Sequence, residues 1–378
     1  MASTSISAFR SSRAIAEFGN RSPSPAKWCI APAKRAAAGD TLLSVRAPVG
    51  ETNRADRPLA IGRGIAAIRF RDIEPEFGWH ALNHAKRAFD RLAQGSTFEA
   101  IGAEVIRALE LLLPPIEEQR AIAAVLDAVD DTIDRTEAVI AATEDLRRGL
   151  LHELLTRGVP GMHSEWRDVP GLGTVPACWN VTTLGELARS ITSGSRGWSR
   201  FYRSSGALFV RSQNIVDGGI DQSDAIFVDP PQDGEAKRTR IRSRDLLITI
   251  TGEPGKAAVA PNELGEAYVS QHVGLVRLTE DGLADFVGQF LRGEAGRGQL
   301  DRMAYGQTRP GLNLTNLEQV LVAVPADAER GAVVQASDSI SSHLSDLVRS
   351  TCRLRELKAA LSDALLTGCI RTRATIDA

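Results

Sequence analysis

The side chains best suited to chemistry in this chain are cationic and amidic, and they gather in two clusters. Arg189, Arg196, Arg200, Arg203 and Arg211 punctuate a Gly/Ser segment that also holds Trp198, Phe201 and Tyr202; Lys237, Arg238, Arg240, Arg242 and Arg244 follow. Phosphate oxygens need positive donors, whereas base edges need side chains such as Arg, Gln and Asn that can pair through two hydrogen bonds. Gln213 and Asn214 beside Arg211, and Gln271 beside His272, place such groups next to strand-like runs. The pattern suits a nucleic-acid contact surface drawn from Arg196, Trp198, Arg200, Tyr202, Arg203, Arg211, Gln213, Asn214, Gln271 and His272. The competing reading is a solvated charged face.

No catalytic set competes with that surface. A phosphate loop of the form G-x-x-x-x-G-K-[ST] is absent, which removes the sign of an ATPase or motor. Gly62-Arg-Gly64 is followed by apolar residues that end a strand pattern rather than open a helix, so it does not read as a dinucleotide site. Ser193-Gly-Ser195 lacks the nucleophile elbow and an evident histidine partner. His80 and His84 share a helix face but lack the glutamate of a zinc peptidase, and read as core or surface histidines. No other spacing of His, Cys, Asp or Glu suggests metal ligands.

Composition narrows the class. The chain has 378 residues, enough for two or three domains, with 43% hydrophobic and 24% charged residues, as a folded protein has. Lys plus Arg (45) nearly cancels Asp plus Glu (47), which excludes a globally basic binder while leaving room for a local basic face. No apolar run approaches the roughly 18 residues of a membrane helix. Cys29, Cys178, Cys352 and Cys369 are widely spaced, which suits thiols in a reducing cytoplasm better than disulfides or a zinc knuckle. Residues 1–38 are rich in Ser, Ala, Arg and Pro with Glu17 their only acid, and read as a loosely ordered leader or an altered gene start, with an organelle transit peptide the alternative.

The elements that must position these residues come twice. Gly95-Ser-Thr-Phe through Pro114 aligns without a gap on Gly306-Gln-Thr-Arg through Pro325, setting Ile101 on Leu312, Ile106 on Leu317, Glu118 on Glu329 and Leu154-Leu-Thr156 on Leu365-Leu-Thr367. With small gaps, Gly39-Asp-Thr-Leu-Leu-Ser-Val-Arg46 matches Arg244-Asp-Leu-Leu-Ile-Thr-Ile-Thr251, and Ile61-Gly-Arg-Gly-Ile-Ala-Ala-Ile-Arg69 matches Val269-Ser-Gln-His-Val-Gly-Leu-Val-Arg277. The chain contains a duplicated unit. Each copy carries a long heptad seam. The first runs through Ile122, Leu126, Val129, Ile133, Thr136, Ile140, Thr143, Arg147, Leu150 and Leu154, ended by Gly158, Pro160 and Gly161. The second runs through Val333, Ser337, Ile340, Leu344, Leu347, Thr351, Leu354, Lys358, Leu361 and Leu365, ended by Gly368. Helices polar on their other faces must bury one stripe, and each copy is the nearest partner for the other. Between the helices, short β-type runs such as Leu246–Thr251, Val273–Leu278 and Val320–Val324, bounded by turns, predict mixed α/β domains.

These features together resemble the specificity subunit of type I restriction-modification enzymes. The resemblance rests on Leu112-Leu-Pro-Pro-Ile-Glu-Glu-Gln-Arg-Ala-Ile-Ala123 leading into the heptad helix, Leu154-Leu-Thr-Arg-Gly158, Gly39-Asp-Thr-Leu-Leu-Ser-Val-Arg-Ala-Pro-Val-Gly50, Trp179-Asn-Val-Thr-Thr-Leu-Gly185 and Gly306-Gln-Thr-Arg-Pro-Gly-Leu-Asn-Leu314. It implies an α+β chain of two mixed α/β target recognition domains separated by two long antiparallel coiled-coil helices. Such a chain reads the halves of a bipartite DNA target without an active site of its own, and Arg309 joins the candidate contacts. It implies double-stranded DNA, methyltransferase (modification) subunits and restriction/motor subunits as partners in the cytoplasm. S-adenosylmethionine, ATP and magnesium would then be held by those partners, and the assembled complex would be a site-specific deoxyribonuclease and adenine methyltransferase. The expected division is a leader over 1–38, a partial first recognition domain over 39–113, a spacer helix over 114–157, a linker over 158–178, a second recognition domain over 179–325, a second spacer helix over 326–369 and a tail over 370–378. The first domain departs from the pattern, because nothing ahead of Asp40 spells a Trp-x-x-x-x-Leu-Gly start. It is expected to lack strands and a DNA-reading loop. Alternatives are a half-specificity or decayed chain reading one half-site, and a fused nuclease or methyltransferase.

Overall fold

The computed structural model describes residues 9–12, 17–86, 89, 100–194, 196–216, 218–306 and 310–372, so Gly95, Thr97 and Arg309 lie outside the described residues. The chain divides into two compact units, one of Met1–Val139 with Leu347–Ala378 and one of Ile140–Asp346. Both boundaries fall within long helices, α3 (Ile116–Thr156, 41 residues) and α9 (Asp327–Leu366, 40 residues).

The heptad reading holds along both helices: every predicted seam position is buried or half-buried, including the polar Ser337, Thr351 and Lys358. In the first unit, Ile122, Ala123 and Leu126 of α3 share a core with Leu365 and Leu366 of α9. Asp130 pairs with Lys358 and Glu137 with Arg355, numbers that rise on one helix as they fall on the other, so these halves run antiparallel, and Glu118 near the start of α3 pairs with Arg371 just past the end of α9. In the second unit, Leu150, Leu151, Leu154 and Leu155 meet Val333, Val334 and Ala336 in its main core. Both helices stop in the same way. Gly158 and Gly368, each two residues past the last helical residue, take φ of +78° and +75°, the left-handed turn that frees the chain from helical direction and favours glycine.

In the first unit, β1 (Phe9–Ser12), β2 (Lys27–Cys29), β3 (Arg35–Ala36) and β6 (Leu59–Ile61) form a sheet of order β2-β1-β6-β3. The described parts of the presumed leader therefore contribute strands. They gave no period because these strands are only four, three and two residues long, and β1 and β3 both pair with β6, farther along the chain. A second sheet, β5-β4-β7, joins β4 (Thr41–Ser44), β5 (Thr52–Arg54) and β7 (Ile65–Ile68). Helices α1 (Pro75–His84) and α2 (Ala103–Arg107) complete the unit before α3.

In α1, His80 is buried with Nε2 3.1 Å from Asp127 Oδ1, while His84 faces Asp363 at 3.9 Å; they do not converge as metal ligands. Burial pushes the His80 pKa down, against the opposing pull of Asp127 and Asp130 and with a smaller push from Lys358. Because the folded value lies below the unfolded one, the contribution of neutral His80 is complete above the unfolded pKa near 6.5 and is lost as pH falls from there through the folded value. The protection of α1 against hydrogen exchange, taken relative to the intrinsic rate at each pH, should therefore fall on acidification through that window, and a His80→Gln chain should show a flatter response.

The second unit opens with a hairpin, β8 (Trp166–Val169) and β9 (Gly173–Pro176). Next comes a continuous segment, β10 (Asn180–Thr183), α4 (Leu184–Leu187) and β11 (Ala188–Ser193). Strands β12 (Tyr202–Arg203), β13 (Ala207–Val210), β14 (Ile215–Val216), β15 (Gly219–Ile220) and β16 (Phe227–Val228) lead to α5 (Gly234–Thr239). They are followed by β17 (Leu246–Thr249), β18 (Ala257–Val259), β19 (Ala267–Val269), β20 (Val273–Leu278), α6 (Ala284–Arg292), α7 (Glu294–Met303), α8 (Leu314–Glu318) and β21 (Leu321–Val324). Two four-stranded sheets, β11-β20-β17-β18 and β12-β16-β13-β19, form the body, while β10 pairs with β21. The run Val273–Val276 is buried throughout, as expected of a strand covered on both faces.

The duplication is visible atom by atom. Asp40 accepts the Ala37 N–H and a two-pronged bond from Arg69; Asp245 accepts the Arg242 N–H and the same fork from Arg277. Ser44 Oγ donates to the Pro48 carbonyl as Thr249 Oγ1 donates to that of Glu253. The residue before each aspartate is left-handed: glycine in one copy (Gly39, φ +88°), arginine in the other (Arg244, φ +70°), whose guanidinium is anchored on Asp285. β6 runs parallel to β1 as β19 runs parallel to β13.

Candidate nucleic-acid interface

The candidate site grows from the ends of strands in the second unit. Parallel β13 and β19 end at Val210 and Val269. The turn that follows β19 is tied to both neighbours: Ser270 N–H donates to the Val210 carbonyl and Gly194 N–H to that of Ser270. From the other sheet, Ile250 N–H donates to His272 O, and Leu312 N–H to Ile250 O. Thr251 and Tyr305 each bridge to Gly311. Residues 194, 211–214, 250–252, 270–272, 305 and 311–312 thus meet on one rim where the two sheets adjoin. Gly194 is required there, since a Cβ would lie 1.8 Å from the Val269 carbonyl oxygen.

Of the predicted contacts, Arg211, Gln213, Gln271 and His272 sit on this rim, and Arg196 is an exposed turn residue. Gln271 Nε2 donates to His272 Nε2 at 3.0 Å, which requires the ring proton on Nδ1, facing Thr251 Oγ1. The pair presents an amide oxygen and an oriented imidazole from a turn rather than from a flexible loop. Arg211 and Gln213 are engaged by one exposed carboxylate: Asp224 Oδ2 accepts from the Arg211 guanidinium at 3.0 Å and from Gln213 Nε2 at 2.7 Å. A phosphate or base edge would compete with Asp224 for those donors.

Two predicted contacts are scaffold instead. Trp198 is only 4% exposed and stacks on Phe209 with centroids 5.6 Å apart, so its size and aromaticity serve the core. Asn214 is buried; its side chain accepts from Arg211 N–H and donates to the Asp221 carbonyl, closing the turn that follows β13. Arg200, Tyr202 and Arg203 lie elsewhere. β12 aligns with β16 beside Ala207, at the opposite end of β13 from Val210. Arg200 stands over the Phe201 ring, and Arg203 bonds the Tyr202 carbonyl.

Sequence reasoning missed the counterparts in the first unit. Val45 N–H donates to Gly64 O as Ile250 N–H does to His272 O, and Arg46 bridges to Ala100 as Thr251 does to Gly311. Arg46 and Arg63, both exposed, therefore stand where Thr251 and Gln271 stand in the second unit. The signal was in the repeat alignment, which sets Arg46 on Thr251 and Arg63 on Gln271.

A second polar constellation, Cys178, His163 and Glu329, lines up like a thiol hydrolase: Sγ to Nδ1 is 3.5 Å and Nε2 to Oε1 is 2.7 Å. The same buried carboxylate, however, accepts from Trp179 Nε1 and from Val159 N–H, both at 3.0 Å. Its bonds secure the turn after α3 and Trp179, the residue just ahead of β10, against the first turn of α9, a structural assignment.

Among the described residues no helix is long and apolar enough to cross a membrane. The family of type I restriction modification DNA specificity domains matches residues 32–144. The chain is 37% identical over 143 residues to a putative type I restriction enzyme MjaX specificity subunit of Methanocaldococcus jannaschii, covering 37% of this chain and 34% of that protein. It is 21% identical over 285 residues to the MjaVIII specificity subunit of the same organism, covering 74% of this chain and 66% of the relative. The matches thus span from about a third to just under two thirds of these relatives. The type I restriction-modification S subunit of M. genitalium shares the fold, with a TM-score of 0.57 at 16% identity over 95% of this chain and 88% of that one. With the duplicated α/β units and the antiparallel helix seams, these likenesses together support a type I restriction-modification specificity subunit.

Proposed function

We propose that this chain is the non-catalytic subunit that reads DNA sequence for a type I restriction-modification complex in the cytoplasm. The second unit reads one half of a bipartite target through the rim that carries Gln271, His272, Arg211 and Gln213. The observation that carries the reading is the convergence, on one rim, of a turn-held amide–imidazole pair with a guanidinium, groups suited to base edges and phosphates. Methyltransferase subunits dock on the chain and bring S-adenosylmethionine; restriction/motor subunits bring ATP and magnesium.

The test uses the assembled complex. A Gln271→Ala, His272→Ala double variant should lose about 10- to 100-fold in sequence-selective methylation, the scale of one or two lost base contacts. Hydrogen exchange of β17 and β20 should stay unchanged, because both side chains lie outside the core. Full selectivity in that variant sinks the assignment. A second reading, in which the chain reads one half-site and relies on another polypeptide for the remainder, is favoured by the bare strand edges of the first unit described next.

A further inference from the structure

In the second unit one continuous segment, Asn180–Ser193, covers three surfaces in turn. β10 pairs antiparallel with β21, setting Asn180 opposite Val324, Val181 opposite Ala323 and Thr183 opposite Leu321. α4 lies on α8, where a Cβ on Gly185 would be 3.1 Å from the Glu318 carbonyl oxygen. β11 then pairs with the outer edge of β20, with Ile191 opposite Val276 and Ser193 opposite Gly274. Trp179, just ahead of β10, anchors the segment on Glu329.

All three surfaces recur in the first unit, and none of the described residues covers them. The counterpart of β21 is Glu110–Leu113, where Leu112 is 63% and Leu113 53% exposed, against 0% for Ala323, the equivalent of Leu112. The counterpart of α8 is α2, which buries no residue, although Leu317 in α8 is fully buried. The counterpart of β20 is β7, which is the edge of its sheet and half-exposed from Ala66 to Ile68. Bare strand edges flanked by apolar side chains are templates for pairing. Glu118 stands where Glu329 stands, with its carboxylate on Arg371.

We propose that the first unit is a receptor for a strand–turn–strand segment of a separate polypeptide, of the type Trp179–Ser193. Its first strand adds antiparallel to Glu110–Leu113, its turn covers Ile106, and its second strand adds to β7, with a leading tryptophan donating to Glu118. A second copy of this chain does not fit as donor, because its own segment is committed: Trp179 and Leu184 are buried in the main core of the second unit. The inference rests on the internal repeat and not on the reading of DNA, so either can fail without the other.

The test adds a synthetic peptide of the sequence Trp179–Ser193 to the full chain and follows hydrogen exchange. Saturable slowing of exchange by about tenfold or more at residues 65–69 and 110–113 is expected. Leu112→Glu should abolish it; that side chain is exposed, so the variant should otherwise exchange like the parent. Equal slowing by a scrambled peptide, or none by either peptide, overturns the proposal. Slowing at 110–113 that grows with protein concentration in the absence of peptide assigns the edge to a second copy, and equally overturns it.

Discussion

Asp245→Ala should cost the second unit about 3–5 kcal/mol, the scale of breaking one side of a buried ion pair. The carboxylate is buried and takes Arg277 at 2.8 Å and 2.6 Å together with the Arg242 N–H at 2.7 Å. Removing it strands a guanidinium whose side chain is only 16% exposed and unties the turn that feeds the central strand β17. The twin substitution Asp40→Ala removes the same three bonds in the first unit, but the Arg69 side chain is 66% exposed and water replaces its partner. That loss should be clearly smaller. Urea unfolding followed by exchange at β17 and at β4 separates the two. Equal losses would mean that the fork's value is set by the turn and not by burial.

Glu329→Ala should destabilise the second unit by about 3 kcal/mol, from two buried N–H donors left without an acceptor at roughly 1–3 kcal/mol each. The donors are Trp179 Nε1 and Val159 N–H; His163 Nε2 loses its partner as well. The carboxylate also stands in the first turn of α9, where negative charge favours the helix dipole. Glu329→Gln keeps one carbonyl acceptor and should recover part of the loss. Tryptophan emission and exchange at β10 are the measurements. A wild-type midpoint for Glu329→Ala would show that β10, just after Trp179, is held by its pairing with β21 alone.

These paired substitutions show what was legible in the residues. The seams of α3 and α9 were readable position by position, because a helix that buries one stripe must repeat its apolar side chains with the helical period, and even Ser337, Thr351 and Lys358 fell where the period placed them. The strands around Asp245 and Val273 were readable because both faces are buried and the runs are apolar. The strands near the N-terminus were not, since β1, β2 and β3 are only four, three and two residues long, too short to show a period, and β6, which β1 and β3 both meet, lies farther along the chain. In the candidate site, residue type picked out polar and aromatic side chains but not their surroundings. Trp198 and Asn214 have the chemistry of contacts and the burial of scaffold.

The amino-acid order alone determined the duplication, the helix seams and the stops at Gly158 and Gly368, all of them consequences of local period and backbone freedom. Only the tertiary structure decided which polar groups share a rim and which are tied down, because that depends on where strands from distant parts of the chain end. It also decided that two equivalent acids, Glu118 and Glu329, serve different ends. One meets an exposed arginine and the other a buried tryptophan, and the difference is made by the segment that covers one unit and is missing from the described surface of the other.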